Sequence, residues 1–452
     1  MKKMKHDVPT RLVKVLNLIL MMVAFGFVWY GYYAARVQVH YYRRGDWVVI
    51  LLFGILYYGF CRSYDAFHIS ISPISEIIYS QTLALIISDF IMYVVIWLLS
   101  LYMPNAVPLL ITFGVQLLIS VLWTFLAHQW YFHNFQPGRT AVIYDLREGM
   151  ESLVGEYGME KKFHIEKVLG VEECLAKLSV LDEMDTVFLS GIHSHERNII
   201  LKYCMYQDIQ VYVIPRIGDV IMGGAKKVHM FHLPMLRIDR YRPIPEYTIA
   251  KRAFDILFSG IAIVIASPFM LVTAIAIKSD GGPALYKQKR LTKDGKEFNV
   301  LKFRSMRVDA EKDGVARLST GDKDDRITPV GKVIRKIRFD ELPQLFNILR
   351  GDMSIVGPRP ERPEIARQYE EEMPEFRLRL QAKAGLTGYA QVYGKYNTTP
   401  YDKLLMDLTY IGTPSLWEDF KICLATVKIL FMPESTEGVA EGATTAMGGE
   451  KH

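Results

Sequence analysis

Residues 335–361, RKIRFDELPQLFNILRGDMSIVGPRPE, hold two adjacent carboxylates, Asp340 and Glu341, among Arg335, Arg338 and Arg359. Paired acids beside guanidinium groups suit phosphate chemistry, because an arginine fork takes two phosphate oxygens at once. Leu342, Leu345, Phe346 and Leu349 recur at i, i+3, i+4 and i+7, which predicts a helix with that face inward and the two acids at its start. A helix dipole favours negative charge there, and the neighbouring arginines keep both acids ionised at neutral pH. Taken alone, an Asp-Glu pair before an apolar helix is more often a cap with a favourable first-turn charge.

The company of the pair changes that balance. In order along the chain come Lys251-Arg252-x-x-Asp255, Ser267-Pro268, Lys302-Phe303-Arg304-Ser305-Met306, Asp340-Glu341-Leu342-Pro343-Gln344-Leu345, Gly351-Asp352-Met353-Ser354, Gly357-Pro358-Arg359-Pro360 and Gly385-Leu386-Thr387-Gly388-Tyr389-Ala390-Gln391-Val392. Together they resemble the bacterial sugar transferase family, the polyprenol-phosphate phosphoglycosyl transferases, over residues 246–431. The family form has proline where Ala384 stands. The resemblance implies that Asp340 is a nucleophile attacking phosphorus, so that a nucleoside monophosphate leaves and a lipid phosphate then takes the phospho-sugar. Glu341 would hold Mg2+, a hard ion that prefers a carboxylate, waters and phosphate oxygens. Arg335 and Arg359, with Lys302 and Arg304, are the phosphate-binding candidates. The partners implied are a nucleotide diphosphate-sugar, taken as a UDP-hexose, undecaprenyl phosphate, membrane lipids, and a second copy of the chain in a homodimer. The product would open exopolysaccharide, capsule or glycan assembly.

The elements that must position these groups are set by composition. Half of the 452 residues are hydrophobic, and they are bunched, which divides the chain into membrane and soluble parts. Apolar runs at 12–35, 47–67, 83–103 and 106–127 are long enough to span a bilayer, the second being weakened at its end by Arg62 and Asp65. Lys2, Lys3, Lys5, Arg11 and Lys14 precede the first run, so the positive-inside rule puts the termini and the soluble mass on the cytoplasmic side of a bacterial inner membrane; Arg36, Arg43 and Arg44 pull mildly the other way. Asp89, inside the third run, is either a functional charge or a helix-helix hydrogen bond. Cys61, Cys174, Cys204 and Cys423 are scattered without metal-ligand spacing, which indicates neither a disulfide framework nor a structural zinc. The net charge of +6 is gathered between Lys287 and Arg307, a face for anionic lipid or phosphate. No nucleic-acid module accompanies it.

The expected organisation is therefore a multi-domain membrane protein: an α-helical four-span bundle (1–135), a Rossmann-like α/β middle domain (136–245), a mixed α/β monotopic catalytic domain (246–432), and a polar, disordered tail (433–452). Strands at 140–144, 162–168, 186–190 and 211–215 alternate with helical stretches, as in a small parallel sheet. The first strand runs into Tyr144-Asp145-Leu146-Arg147-Glu148-Gly149, not a glycine-rich dinucleotide turn, which points to an interaction or regulatory role. The apolar run 251–278 is long enough to cross, but Ser267-Pro268 interrupts it and basic residues flank both ends. Proline removes an N–H and bends a helix, so the run is expected to dip into the inner leaflet and return. The resemblance implies the same, with Ser267 and Pro268 setting the depth of the site. Residues 309–326 read as a mobile loop and 416–431 as an amphipathic interfacial helix. Two other classes compete: a non-catalytic membrane scaffold of polysaccharide assembly, and a polytopic transferase that forms no covalent intermediate.

Overall fold

A computed structural model describes residues 4–37, 45–100, 102–147, 149–279, 281–307, 326–394 and 398–430. The loop expected at 309–326 lies outside the described residues apart from Arg326, as does the tail. The chain packs as two units, 1–214 and 215–452.

The first unit opens with four long apolar helices: α1 (Met4–Val28), α2 (Gly45–Ser63), α3 (Ile74–Leu99) and α4 (Val107–Asn134). Each packs on the next and α4 returns to α1, giving a closed bundle. The outer faces are apolar, with Leu51, Ile55, Phe90, Leu110, Ile111 and Leu118 exposed, as lipid-facing surfaces require. Inside, small polar groups join the helices: Tyr57 donates to Asn17 Oδ1 at 2.9 Å, and Ser120 to Gln81 Oε1 at 2.6 Å. Asp89 is buried in the same interior. The sheet comes next, built from β1 (Gly138–Tyr144), α5 (Met150–Glu156), β2 (Phe163–Gly170), α6 (Val171–Ala176), β3 (Thr186–Ser190), α7 (Ser194–Tyr206) and β4 (Gln210–Val213). Its strands are all parallel in the order β2-β1-β3-β4, with Thr140 opposite Thr186 and Thr186 opposite Gln210. A continuous apolar run in β1 and β3 is what a sheet covered on both faces needs, and Ala141, Val142, Ile143, Val187 and Leu189 are buried.

The second unit begins with α8 (Ile217–Gly223) and the hairpin β5 (Lys226–Met230) and β6 (Leu233–Arg237). Its longest element is α9 (Pro245–Ser279), one helix with Pro268 inside. Then come β7 (Leu285–Leu291) and β8 (Glu297–Phe303), α10 (Pro329–Lys336), α11 (Gln344–Arg350), β9 (Ser354–Val356), α12 (Pro363–Glu372), β10 (Gly385–Thr387), α13 (Tyr389–Tyr393), α14 (Pro400–Gly412) and α15 (Leu416–Leu430). Among the described residues five helices could by length and composition cross a membrane, α9 among them.

Helix α9 is fastened to this unit along its length. Near its start Arg252 donates to the Ile348 and Leu349 carbonyls, both at 2.7 Å, and Lys251 meets Asp419 of α15 at 2.8 Å. Asp255 accepts from the Ile355 amide at 2.9 Å and from Ser354. At the far end Arg304 donates to the carbonyls of Ile277, Gly281 and Pro283. The basic pair expected to flank a membrane segment is thus folded inward. The helix also exposes Leu257, Ile261, Val264, Ile265, Phe269, Leu271, Val272 and Ile275, an apolar stripe that includes exposed Ser267.

Candidate active site

The two acids sit on a one-turn 3-10 segment, Phe339–Glu341, between α10 and α11. Arg338 enters it with φ +54°, a left-handed conformation that costs an arginine about 1–2 kcal/mol. Such strain persists only where the surroundings enforce it, and it lies two residues from Asp340. The turn shifts the phase of the next helix: α11 buries Gln344, Leu345, Asn347 and Ile348, whereas Phe346 is 39% exposed and Leu342 and Leu349 are half-buried. The helical face read from spacing is therefore corrected. The period assumed one helix from Asp340 onward, and the 3-10 turn with Pro343 breaks it.

Asn347 explains why α11 lies where it does. Its Oδ1 accepts from the Leu301 amide at 2.9 Å and its Nδ2 donates to the Asn299 carbonyl at 2.8 Å, tying α11 to the edge of β8. That tie sets Lys302, the next residue of β8, opposite the turn. Lys302 Nζ lies 2.9 Å from Glu341 Oε1, and Arg359 Nη2 reaches the same oxygen at 3.5 Å from the Gly357-Pro358-Arg359-Pro360 turn after β9. Gly357 is obligatory there, because a Cβ would run into the Lys383 carbonyl.

The neighbouring acids are set apart in proton affinity. Burial pushes Glu341 up, but Lys302 and then Arg359 outweigh it and hold the carboxyl well below the usual range. Burial raises Asp340 above its ordinary value, aided by the Glu341 charge and opposed by Lys302 and Arg335. The neighbouring cations thus win over burial at Glu341, whereas burial wins at Asp340. A partly buried carboxylate of raised proton affinity beside one held ionised is the more basic oxygen, the kind a nucleophile needs.

Arg335, in the last turn of α10, acts on Asp340 through its charge, while its Nη1 is buried without a partner among the described residues. A buried guanidinium N–H without an acceptor costs about 1–3 kcal/mol, and none of the described residues offers this one an oxygen. Arg304 stands apart: it is 7% exposed and its N–H groups go to the three carbonyls around the end of α9. It is a backbone clamp. Ser267 and Pro268 lie at the middle of α9, just before Phe269, whose ring centroid is 6.4 Å from that of Phe339, and Ser267 Oγ donates to the Val264 carbonyl at 2.8 Å.

Among the described residues no group of three His, Cys, Asp or Glu forms a metal cluster. A lone carboxylate such as that of Glu341 is the kind of ligand Mg2+ takes, with water and phosphate completing its shell. Reading by motif missed the layer behind the Arg359 turn. There Arg379, Arg290, Glu361 and Asp407 interlock, and Lys403 lies one helical turn before Asp407 with its amine pushed down by burial. These residues are scattered over more than a hundred positions, and no local pattern links them.

Comparison with known proteins agrees with the motifs. Residues 246–433 match the bacterial sugar transferase family model. The chain is 40% identical over 234 residues to the UDP-N-acetylgalactosamine-undecaprenyl-phosphate N-acetylgalactosaminephosphotransferase of Aeromonas hydrophila, covering 51% of this chain and 54% of that protein. It is 40% identical over 201 residues to the UDP-glucose:undecaprenyl-phosphate glucose-1-phosphate transferase of Caulobacter vibrioides, covering 43% and 74%. For the Escherichia coli protein of the same description the figures are 38% over 212 residues, 46% and 44%. The chain belongs to the bacterial sugar transferase family. The matched stretch spans three quarters of the Caulobacter protein and about half the length of the other two.

Proposed function

We infer that this chain transfers a sugar-1-phosphate from a nucleotide diphosphate-sugar to undecaprenyl phosphate through a phospho-sugar carried on Asp340. The carrying observation is the Arg335 N–H that has no partner among the described residues, its charge acting on Asp340, in a site whose second acid is held ionised by Lys302 and Arg359. The relatives' names supply the reaction class: each moves a sugar phosphate onto undecaprenyl phosphate from a UDP-sugar.

An Asp340 oxygen attacks the phosphorus that bears the sugar, and the anhydride bond to the nucleoside monophosphate breaks. Arg335 and Arg359 grip the phosphate oxygens through the displacement, and the geometry keeps the attacking oxygen and the phosphorus together. An oxygen of the lipid phosphate then attacks the same phosphorus, the Asp340–phosphorus bond breaks, and a lipid diphosphate-sugar results. One phosphoanhydride replaces another, so no outside energy source enters. Mg2+ on Glu341 would neutralise diphosphate charge, an effect worth several kcal/mol by order of magnitude.

The lipid substrate must reach the site from the bilayer. Both ends of α9 are fastened to the same unit, which supports a helix that dips and returns, since a crossing helix would carry one fastening to the far side. Lys2, Lys3, Lys5, Arg11 and Lys14, before and within the first half of α1, support a cytoplasmic site.

The test uses the full chain in nanodiscs with Mg2+, undecaprenyl phosphate and a panel of UDP-sugars. Release of nucleoside monophosphate with one sugar, abolished in Asp340→Asn, is expected, and omitting the lipid should leave a phospho-sugar adduct on Asp340. Activity surviving in Asp340→Asn would remove the covalent step. No release with any sugar from folded protein would favour the scaffold reading.

A further inference from the structure

The Arg359 turn has two faces. Its front carries the Arg359 guanidinium, 43% exposed and directed at Glu341. Its back is held by two guanidinium groups from elsewhere in the chain. Arg379 donates from Nη2 to the Arg359 carbonyl at 2.9 Å and stands 3.6 Å from Glu361 through Nη1. Arg290 donates from Nη1 to the Pro360 carbonyl at 3.0 Å and lies 3.9 Å from Glu361. Three successive residues, Arg359, Pro360 and Glu361, are thus gripped from behind.

Arg379 is in turn fixed by a two-pronged pair with Asp407 of α14, Nε at 2.8 Å and Nη2 at 2.7 Å from the same oxygen. Both residues are almost fully buried, at 3% and 1% exposure. A buried pair of this kind is seldom more stable than apolar packing of equal volume, and its best-attested use is to enforce one arrangement. Here the arrangement enforced is specific. Pro358 and Pro360 fix their own φ values, so the remaining freedom of the turn lies largely at Arg359, whose carbonyl Arg379 holds. A guanidinium 3.5 Å from its carboxylate loses function if that backbone rotates modestly.

We propose that Arg379, anchored by Asp407, is a positioning residue that sets the backbone of Arg359 so that its guanidinium meets the donor's phosphate. The proposal rests on the reading of Arg359 as a phosphate ligand in the transfer reaction. Arg379 touches no substrate; it acts through one carbonyl.

The test is a double-mutant cycle on the full chain in nanodiscs, measuring nucleoside monophosphate release. Arg379→Lys keeps the charge and removes the fork. It should raise the donor KM about tenfold, the equivalent of one charge-assisted hydrogen bond, with a smaller effect on kcat. In an Arg359→Ala background the same change should alter kcat/KM by less than about twofold, because the group it positions is gone. Equal factors in both backgrounds would overturn the proposal and leave Arg379 a stability residue. Should Arg379→Lys fail to fold, Asp407→Asn, nearly isosteric, must reproduce the KM rise and its loss in Arg359→Ala, and additive behaviour there would refute the idea equally. A wild-type chain that releases no nucleotide with any sugar overturns the transfer reading, and this inference with it, whereas an active wild type with additive variants overturns the inference alone.

Discussion

Lys302→Met tests whether the cation of β8 sets the charges of the two acids. Lys302 Nζ stands 2.9 Å from Glu341 Oε1, and the two side chains are 20% and 17% exposed. Two unit charges about 4 Å apart attract by roughly 4 kcal/mol at an effective dielectric near 20, and breaking a mostly buried pair costs about 3–5 kcal/mol. Arg359 remains on Glu341, so the lower figure applies, about 3 kcal/mol. Lys302 holds both acids down, so removing it raises both, Asp340 included. The nucleophile must be ionised, so the acidic limb of kcat/KM moves to higher pH, while Lys302→Arg leaves it in place. For stability the sign is fixed by Glu341, whose folded carboxyl titrates below its unfolded value. Its contribution is present above about pH 4.3 and lost as pH falls through the folded value, so the melting difference between wild type and Lys302→Met is largest at neutral pH and closes in acid. Nucleotide release between about pH 5 and 9, with melting curves over a wider range, measures both. An acidic limb that stays put while the rate falls equally at every pH would refute the reasoning and leave Lys302 a substrate ligand.

Arg335→Ala should raise the donor KM by about tenfold to a hundredfold while leaving the melting temperature unchanged or higher, because it removes a buried N–H without a partner among the described residues. Arg304→Met should behave oppositely, lowering stability by about 2–4 kcal/mol as three carbonyls lose their donor, with the donor KM of the folded fraction unaltered. Gly357→Ala should abolish nucleotide release without removing either acid, since the added Cβ meets the Lys383 carbonyl and displaces the Arg359 turn. Retained activity in that variant would show that the turn moves freely.

Much of the fold is legible where one period dominates. The apolar runs mark α1 to α4, though the third starts at Ile74 rather than at 83, because Glu76, Ser80 and Gln81 lower its hydropathy without breaking the helix. Thr186–Ser190 is recovered as β3 residue for residue, an uninterrupted β-rich run. The site is legible through types held close in sequence: Asp340, Glu341 and Arg359 do converge, with Lys302 joining from β8. What escaped depends on long-range choice. Arg304 and Lys302 lie two apart, yet one faces the acids and the other the end of α9, a divergence that comes from the end of the strand at Phe303 and that no motif reveals. Lys251 and Arg252 resemble a membrane flank, but their partners, Asp419 and the α11 carbonyls, are far along the chain.

Helix α9 behaves as a keel bolted fore and aft. Its thirty-five residues follow a helical path about 52 Å long, held near its start by Arg252 and at its end by Arg304. A free apolar helix answers a thicker or thinner bilayer by tilting or sliding. This one cannot roll or slide without dragging β9 and the end of β8, the two elements that carry Arg359 and Lys302. Any shift of α9 would therefore be felt at the turn that carries Arg359 and at the strand that carries Lys302.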